Sequence, residues 1–350
     1  TCERLARAVW ESVVRTLGSS QPAVDALQIV VKESDVAHVE YERRLGPGAP
    51  PGLYTVSVRG RFMAARSLTG ARFGDAQRLH GGTFVVDALF TGPQLEPAAT
   101  FLIDICLAED LVKAAVNKLH QTNLNENPAF LLPNGKRRNA TGHVIADTIW
   151  SSIAPGLPSS LEKLKVIVSE HDEATCEYEK SLKDTSYYTG GTHTLVASGR
   201  CMIAHSFKGE QFGPAQALHG CTYMIQGRFR SSGGGKLSDD YKSSSSLADD
   251  GGLSCGHTAA ESALREAISA YHQRNLDDLY EFANENTTCE RVARAIWARV
   301  AFALTPAQRI GLDGLQILVR ESDVASCAFD APLGKASSSS GGVLVLDLDS

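Results

Sequence analysis

The residues with the strongest claim to chemistry are two histidines and a cysteine. His219 and Cys221 lie two apart on a predicted strand, so their side chains leave it on one face, and His205 ends an earlier strand. Imidazole and thiolate are natural zinc ligands, and three protein ligands around one open position make a catalytic zinc site. In an earlier stretch of similar sequence the matching positions are Arg66, His80 and Gly82. A guanidinium has no lone pair to offer and glycine has no side chain, so that stretch cannot hold the same ion. For His205, His219 and Cys221 two readings stand: a zinc centre, or a decayed site whose His and Cys simply pack.

Three glutamates form a second constellation. Leu27, Ile29, Val31 and Glu33 share parity on a predicted strand; so do Leu164, Val166, Val168 and Glu170, and again Leu315, Ile317, Val319 and Glu321. A carboxylate ending a buried aliphatic stripe needs a partner. A ligand edge presenting two N–H groups fits it; the alternative is a solvated glutamate opening the turn that follows. His120 and His272, each just after a predicted helix, read either as proton shuttles or as helix-end histidines interacting with the dipole.

The elements behind these residues recur. Thr1-Cys-Glu-Arg-Leu-Ala-Arg-Ala-Val-Trp10 returns as Thr288-Cys-Glu-Arg-Val-Ala-Arg-Ala-Ile-Trp297, with a weaker copy at 141–150. Gly60–Arg66 and Phe73–Gly81 recur at Gly199–His205 and Phe212–Gly220, an offset of 139 residues from Gly60 to Gly199 and from Phe73 to Phe212. Each full copy reads strand, strand, helix, helix, strand, strand. Leu107, Leu111, Ala115 and Leu119 predict the buried face of one helix, and Leu5, Val9, Val13 and Leu17 that of the other. Thr287 and Glu290 have capping-box spacing.

The expected organisation is therefore a carboxy-terminal half repeat at 1–45, a complete repeat at 53–182 and another at 192–333. An insertion over 231–256, rich in Ser, Gly and Asp, replaces a short strand at 100–106 and is expected to be disordered. Residues 336–350 read as a tether and the start of a further repeat, so the array is expected to continue in both directions.

Composition narrows the partners. The chain of 350 residues mixes 34 basic with 40 acidic residues for a net charge of −6, with no basic stripe for nucleic acid and no apolar run long enough to span a membrane. Its eight cysteines include no CxxC pair, which points to a reducing compartment, cytoplasm or organelle interior.

The order of Phe-x-Ala-x-Arg at 62–66, matched by a stretch ending in His205, then His-Gly-x-Thr-Tyr, a Thr-x-Glu helix and a strand ending in Glu resembles the 6-pyruvoyltetrahydropterin synthase family, which includes the 6-carboxytetrahydropterin synthases. The resemblance implies the tunnelling fold (T-fold), an α+β architecture of ββααββ repeats whose antiparallel sheets associate toward a barrel with helices on one face. It implies zinc at the positions of Arg66, His80 and Gly82, and of His205, His219 and Cys221. It places the family's catalytic cysteine at Ala76 and Ala215, and its Asp-His relay near His120 and His272, where the usual order is absent. It also makes Glu33, Glu170 and Glu321 the residues that anchor a pterin ring. The expectation is a non-catalytic tandem array, a scaffold or subunit whose partners are further T-fold units or other subunits. No cofactor is expected, with zinc in the second complete repeat as the alternative. The alternatives are a zinc-dependent pterin-forming lyase working through 192–333, and a module that binds a pterin or purine without turnover.

Overall fold

The computed structural model describes residues 1–17, 24–131, 135, 137–171, 174–183, 190–232, 255–323 and 325–333. Two compact units emerge, Thr1–His171 with Cys176–Thr192, and Asp172–Thr175 with His193–Ser350. The chain adopts the T-fold.

The amino-terminal unit opens with helix α1 (Cys2–Leu17) and strands β1 (Ala26–Lys32) and β2 (Ala37–Arg44). Then come β3 (Leu53–Arg66), β4 (His80–Gly92), α2 (Ile105–Asn117), the two-residue β5 (Thr122–Asn123), α3 (Gly142–Ile153), β6 (Lys163–His171) and β7 (Ala174–Ser181). Its sheet runs β1-β2-β3-β4-β6-β7, with β5 beside β3. The β2–β3 pairing joins the leading half repeat to the complete one. The second unit repeats the plan with β8 (Thr192–His205), β9 (His219–Ser232), α4 (His257–Ser269), β10 (Arg274–Asn275), α5 (Cys289–Ala303), the short α6 (Pro306–Arg309), β11 (Gly314–Arg320) and β12 (Ser326–Pro332), in the order β8-β9-β11-β12.

Strand alternation builds both cores. On β3, β4 and β6 one parity, with Val56, Val58, Phe62, Phe84, Val86, Phe90, Leu164, Val166 and Val168, is buried beneath α2 and α3. The other parity carries charge, as in the pairs Lys163–Glu179 and Arg59–Asp87. Gly60 and Gly199 let the helices close in: a Cβ there would lie 2.7 Å from Val112 and 2.6 Å from Ile268. Each copy also locks its second helix to the sheet through tryptophan. Trp10, Trp150 and Trp297 donate their indole N–H to the carbonyls of Leu27, Leu164 and Leu315, at 2.8, 2.9 and 2.8 Å. Each stands edge-on to an aromatic of the last strand, Tyr41, Tyr178 or Phe329, with 5.8 Å between ring centroids.

Several local expectations are corrected. In α1, Leu5 and Val9 are exposed and the buried stripe is Ala6 and Trp10, because the Trp10–Leu27 bond fixes the helix rotation. In α2 the buried residues are Ala108, Val112, Ala115 and Val116, with Leu107 exposed. The strand expected at 100–106 is absent: Asp104 caps α2 by accepting from the Cys106 amide, which draws residues 105 and 106 into the helix, while Leu102 and Ile103 pack as buried loop. Of the expected insertion, Ser231 and Ser232 end β9, with Ser231 buried, and 255–256 are ordered before α4. Residues 233–254 lie outside the described residues, as do 334–350. No described helix is long and apolar enough to cross a membrane.

Candidate functional site

The parity that builds the core also assembles the sites. Arg66 continues the buried row of Phe62 and Ala64, Gly82 that of Phe84, and Glu170 that of Val166 and Val168, so all three point into the helix layer at one end of the sheet. Arg66 is buried. Its Nη2 donates to Glu170 Oε2 at 2.5 Å, its Nη1 donates to the Ala140 carbonyl, and its guanidinium lies 5.1 Å from the Phe84 ring centroid. Burial lowers the arginine's pKa, and the neighbouring Glu170 carboxylate opposes that. Gly82 leaves the room: a Cβ there would sit 2.8 Å from Glu170 Oε1. The nearby Cys176 thiol is pushed up to about 12 by burial and stays protonated. His80 turns back to its own loop, with Nδ1 2.8 Å from the Arg78 carbonyl.

The second complete repeat puts different chemistry on the same frame. His205 takes the place of Arg66 and is fully buried. Its Nδ1 lies 3.1 Å from both the carbonyl and the hydroxyl oxygen of Thr287. Thr287, read in the sequence as a helix cap, is instead the partner of this imidazole; the N-cap of α5 is Thr288. With Nδ1 donating to the carbonyl, Nε2 is left as a lone pair, and it has no hydrogen-bond partner among the described residues. A ring nitrogen of His205, the Cys221 sulfur and a Glu321 oxygen all lie within 4.8 Å of one another. His219 stands outside this convergence: its ring centroid is 4.5 Å from that of His205, and its Nδ1 lies 2.9 Å from the Ala217 carbonyl. Burial lowers the pKa of His205 and raises that of Cys221, with the Tyr223 hydroxyl opposing the latter.

The three glutamates have three partners. Glu33, exposed, accepts from the Cys2 thiol at 3.5 Å; Glu170 holds Arg66; and Glu321 accepts from the Cys289 thiol at 3.3 Å. The sequence does not single out Cys289 as a site residue, although its place beside the half-buried glutamate that follows the strand is consistent with the Thr-Cys-Glu-Arg recurrence. His120 and His272 are remote in role: each accepts a strand amide, from Met63 and Met202, at 3.2 Å through Nδ1, and pins the helix-to-loop turn to β3 or β8. Ala76 and Ala215 sit in matching 3-10 loops, their carbonyls accepting from Leu68 and Phe207 at 2.9 and 3.0 Å.

The donor sets decide what each site can hold. In the first, a permanent cation fills the space beside the carboxylate and, among the described residues, no imidazole or thiolate converges there, so zinc does not fit. In the second, a buried imidazole with a free lone pair and a carbonyl behind it, a thiol and a carboxylate form a set suited to zinc.

These two sites lie on repeated ββααββ frames of the T-fold. The sequence matches the family described as 6-pyruvoyl tetrahydropterin synthase over residues 55–181 and again over 194–332, well over half its length, and the chain belongs to that family as a tandem repeat. Among solved structures it is similar to 6-pyruvoyl tetrahydropterin synthase from Caenorhabditis elegans, at 17% identity over 37% of this chain and 96% of that one, with a TM-score of 0.32. The Plasmodium falciparum synthase gives 15% identity over 37% and 98%, at 0.30. Uricase from Arthrobacter globiformis aligns over 81% of this chain and 96% of its own at 10% identity and a TM-score of 0.38. A comparison with curated protein sequences finds no match.

Proposed function

We propose that this chain is a non-catalytic T-fold array, a scaffold or subunit whose partners are further T-fold units or other components of a larger assembly. The observation that carries this reading is the Arg66–Glu170 pair. A guanidinium stands where the family resemblance expects a metal ligand, and it already occupies the carboxylate that would anchor a pterin. Alanines at 76 and 215, where that resemblance expects the nucleophilic thiol, remove the reactive group from both complete repeats. Losing members of a set that acts as a unit removes the mechanism rather than trimming it.

A second reading, a zinc-dependent pterin-forming lyase in 192–333, is favoured by the convergence of His205, Cys221 and Glu321. Bound zinc would supply Lewis-acid polarisation of a substrate oxygen. The same geometry argues against turnover, because a Glu321 that serves as third ligand is no longer free to anchor a ring. A structural metal in a silent repeat is thus the better account of that cluster. A repeat that binds a pterin or purine without turnover keeps Glu321 for the ligand and leaves the metal with two ligands.

The deciding experiment pairs metal analysis of the purified chain with an assay on the pterin substrates of the synthase family. The scaffold reading expects no turnover, with zinc either absent or present at one per chain. Turnover abolished by Cys221→Ala would overturn it.

A further inference from the structure

The start of α5 and the strand β12 bring two thiols together beside Glu321. In the β11–β12 register Cys327 lies opposite Val319, which is fully buried and shares its parity with Glu321, so Cys327 faces the helix layer. Cys289, the first residue of α5, donates to Glu321 Oε2 and is in hydrogen-bonding contact with the Cys327 thiol. Both are partly exposed and reachable by a small solute.

The preceding copy gives an independent measure of how close these positions lie. There the matching residues are Gly142, at the start of α3, and Cys176, on β7. A Cβ built on Gly142 would lie 3.0 Å from the Cys176 Cβ and 2.7 Å from its sulfur. Cysteines joined by a disulfide have Cβ atoms roughly 3.5–4.5 Å apart. The frame thus holds this pair of positions at bridging separation, to within a small backbone adjustment. In the leading half repeat the matching residues are Cys2 and Val39, the latter opposite Val31. Of the three copies, the last alone has sulfur at both positions.

We propose that Cys289 and Cys327 form a redox-active dithiol that closes to an intramolecular disulfide when it meets a peroxide. One thiolate attacks the peroxide O–O bond and becomes a sulfenic acid, releasing one water. The second thiol then attacks the sulfenic sulfur, forming the S–S bond and releasing a second water. Two sulfurs are oxidised, one peroxide is reduced, and the two thiol hydrogens leave in the waters. Closure also removes the S–H that Glu321 accepts, so the redox state of the pair sets whether that carboxylate is engaged. This inference stands apart from the functional reading and needs neither zinc nor turnover.

The test treats the fully reduced chain with hydrogen peroxide, alkylates the remaining thiols and maps the peptides by mass spectrometry. The expected result is a linked Cys289–Cys327 peptide pair, lighter by two hydrogens and restored by dithiothreitol, while the other six cysteines are mainly alkylated. Cys327→Ser should abolish the link. Gly142→Cys should create a second one, to Cys176. Cys289 and Cys327 remaining alkylated after peroxide, or a scrambled set of links, would overturn the proposal. So would a 142–176 link in the variant with no 289–327 link beside it.

Discussion

The first and second complete repeats each place the same three stations at one end of their own strands, yet one set is filled by an ion pair and the other is open. Arg66 answers the Glu170 carboxylate and, like His205, binds the backbone just before the following helix, at Ala140 and Thr287; only its Nε has no hydrogen-bond partner among the described residues. His205 with Cys221 and Glu321 leaves an aromatic nitrogen unspent. The difference lies in two positions: arginine at 66 sets a covalently held positive charge beside the carboxylate, and glycine at 82 leaves room for that carboxylate.

The largest effect expected from that contrast concerns the ion pair. Glu170→Gln leaves a buried guanidinium without its counter-ion and should destabilise the amino-terminal unit by about 3 kcal/mol, read as a lower denaturant midpoint. The double variant Arg66→Met with Glu170→Gln should recover most of it. A single variant as stable as the parent would remove the basis for calling the first site filled.

Next is the response to zinc. Free zinc at about a hundred times its dissociation constant should stabilise the carboxy-terminal unit by about 2.7 kcal/mol and leave the amino-terminal unit unmoved. His205→Ala should cancel the shift, and equal stabilisation of both units would erase the contrast.

Acid should separate the units as well. Burial holds the pKa of His205 below the ordinary histidine value of 6.5. Above 6.5 the imidazole is neutral in both folded and unfolded chains, so its contribution is fully present. As pH falls below 6.5 the unfolded chain takes up a proton that the folded one refuses. Stability of the metal-free second unit should then fall by at most about 1.4 kcal/mol per pH unit until the folded pKa is reached. His205→Asn should flatten that slope; if it persists unchanged, another group is responsible.

The smallest effect lies on the charged face of the sheet. Lys163→Ala breaks a half-exposed pair with Glu179 and should cost less than about 1 kcal/mol in a melting experiment. A loss as large as that of Glu170→Gln would mean that burial does not separate the two kinds of ion pair.

The frame and the direction of the site residues were legible because strand parity is read directly from sequence. The stripe ending in Glu170, or in Glu321, fixed which way the carboxylate points, and the 139-residue offset set Arg66 over His205. What parity does not encode is which neighbour answers. Arg66 and Glu170 are 104 residues apart, and their pairing needed only the further step that a buried arginine requires the half-buried glutamate on its own face. Helix rotation was harder. In α1 the stripe of Leu5, Val9 and Val13 looks more apolar than that of Cys2, Ala6 and Trp10, and a single indole hydrogen bond decides between them. Thr287 misled for a similar reason. Its hydroxyl has the right spacing for a cap, but the imidazole on β8 competes for it and wins.

The tryptophan clamps also give the chain a built-in optical gauge. All three of its indoles occupy one station, the joint where the second helix of a copy meets the carbonyl that starts its third strand. Two of these lamps sit in the amino-terminal unit and one in the carboxy-terminal unit. Emission should therefore dim and redden in two unequal steps if the units melt separately, with the smaller step belonging to the carboxy-terminal unit. Because each indole is hydrogen-bonded and set against an aromatic ring, the signal follows the helix-to-sheet joint rather than the loops. Replacing Trp297 with phenylalanine would darken the second unit alone, leaving the first to be watched by itself.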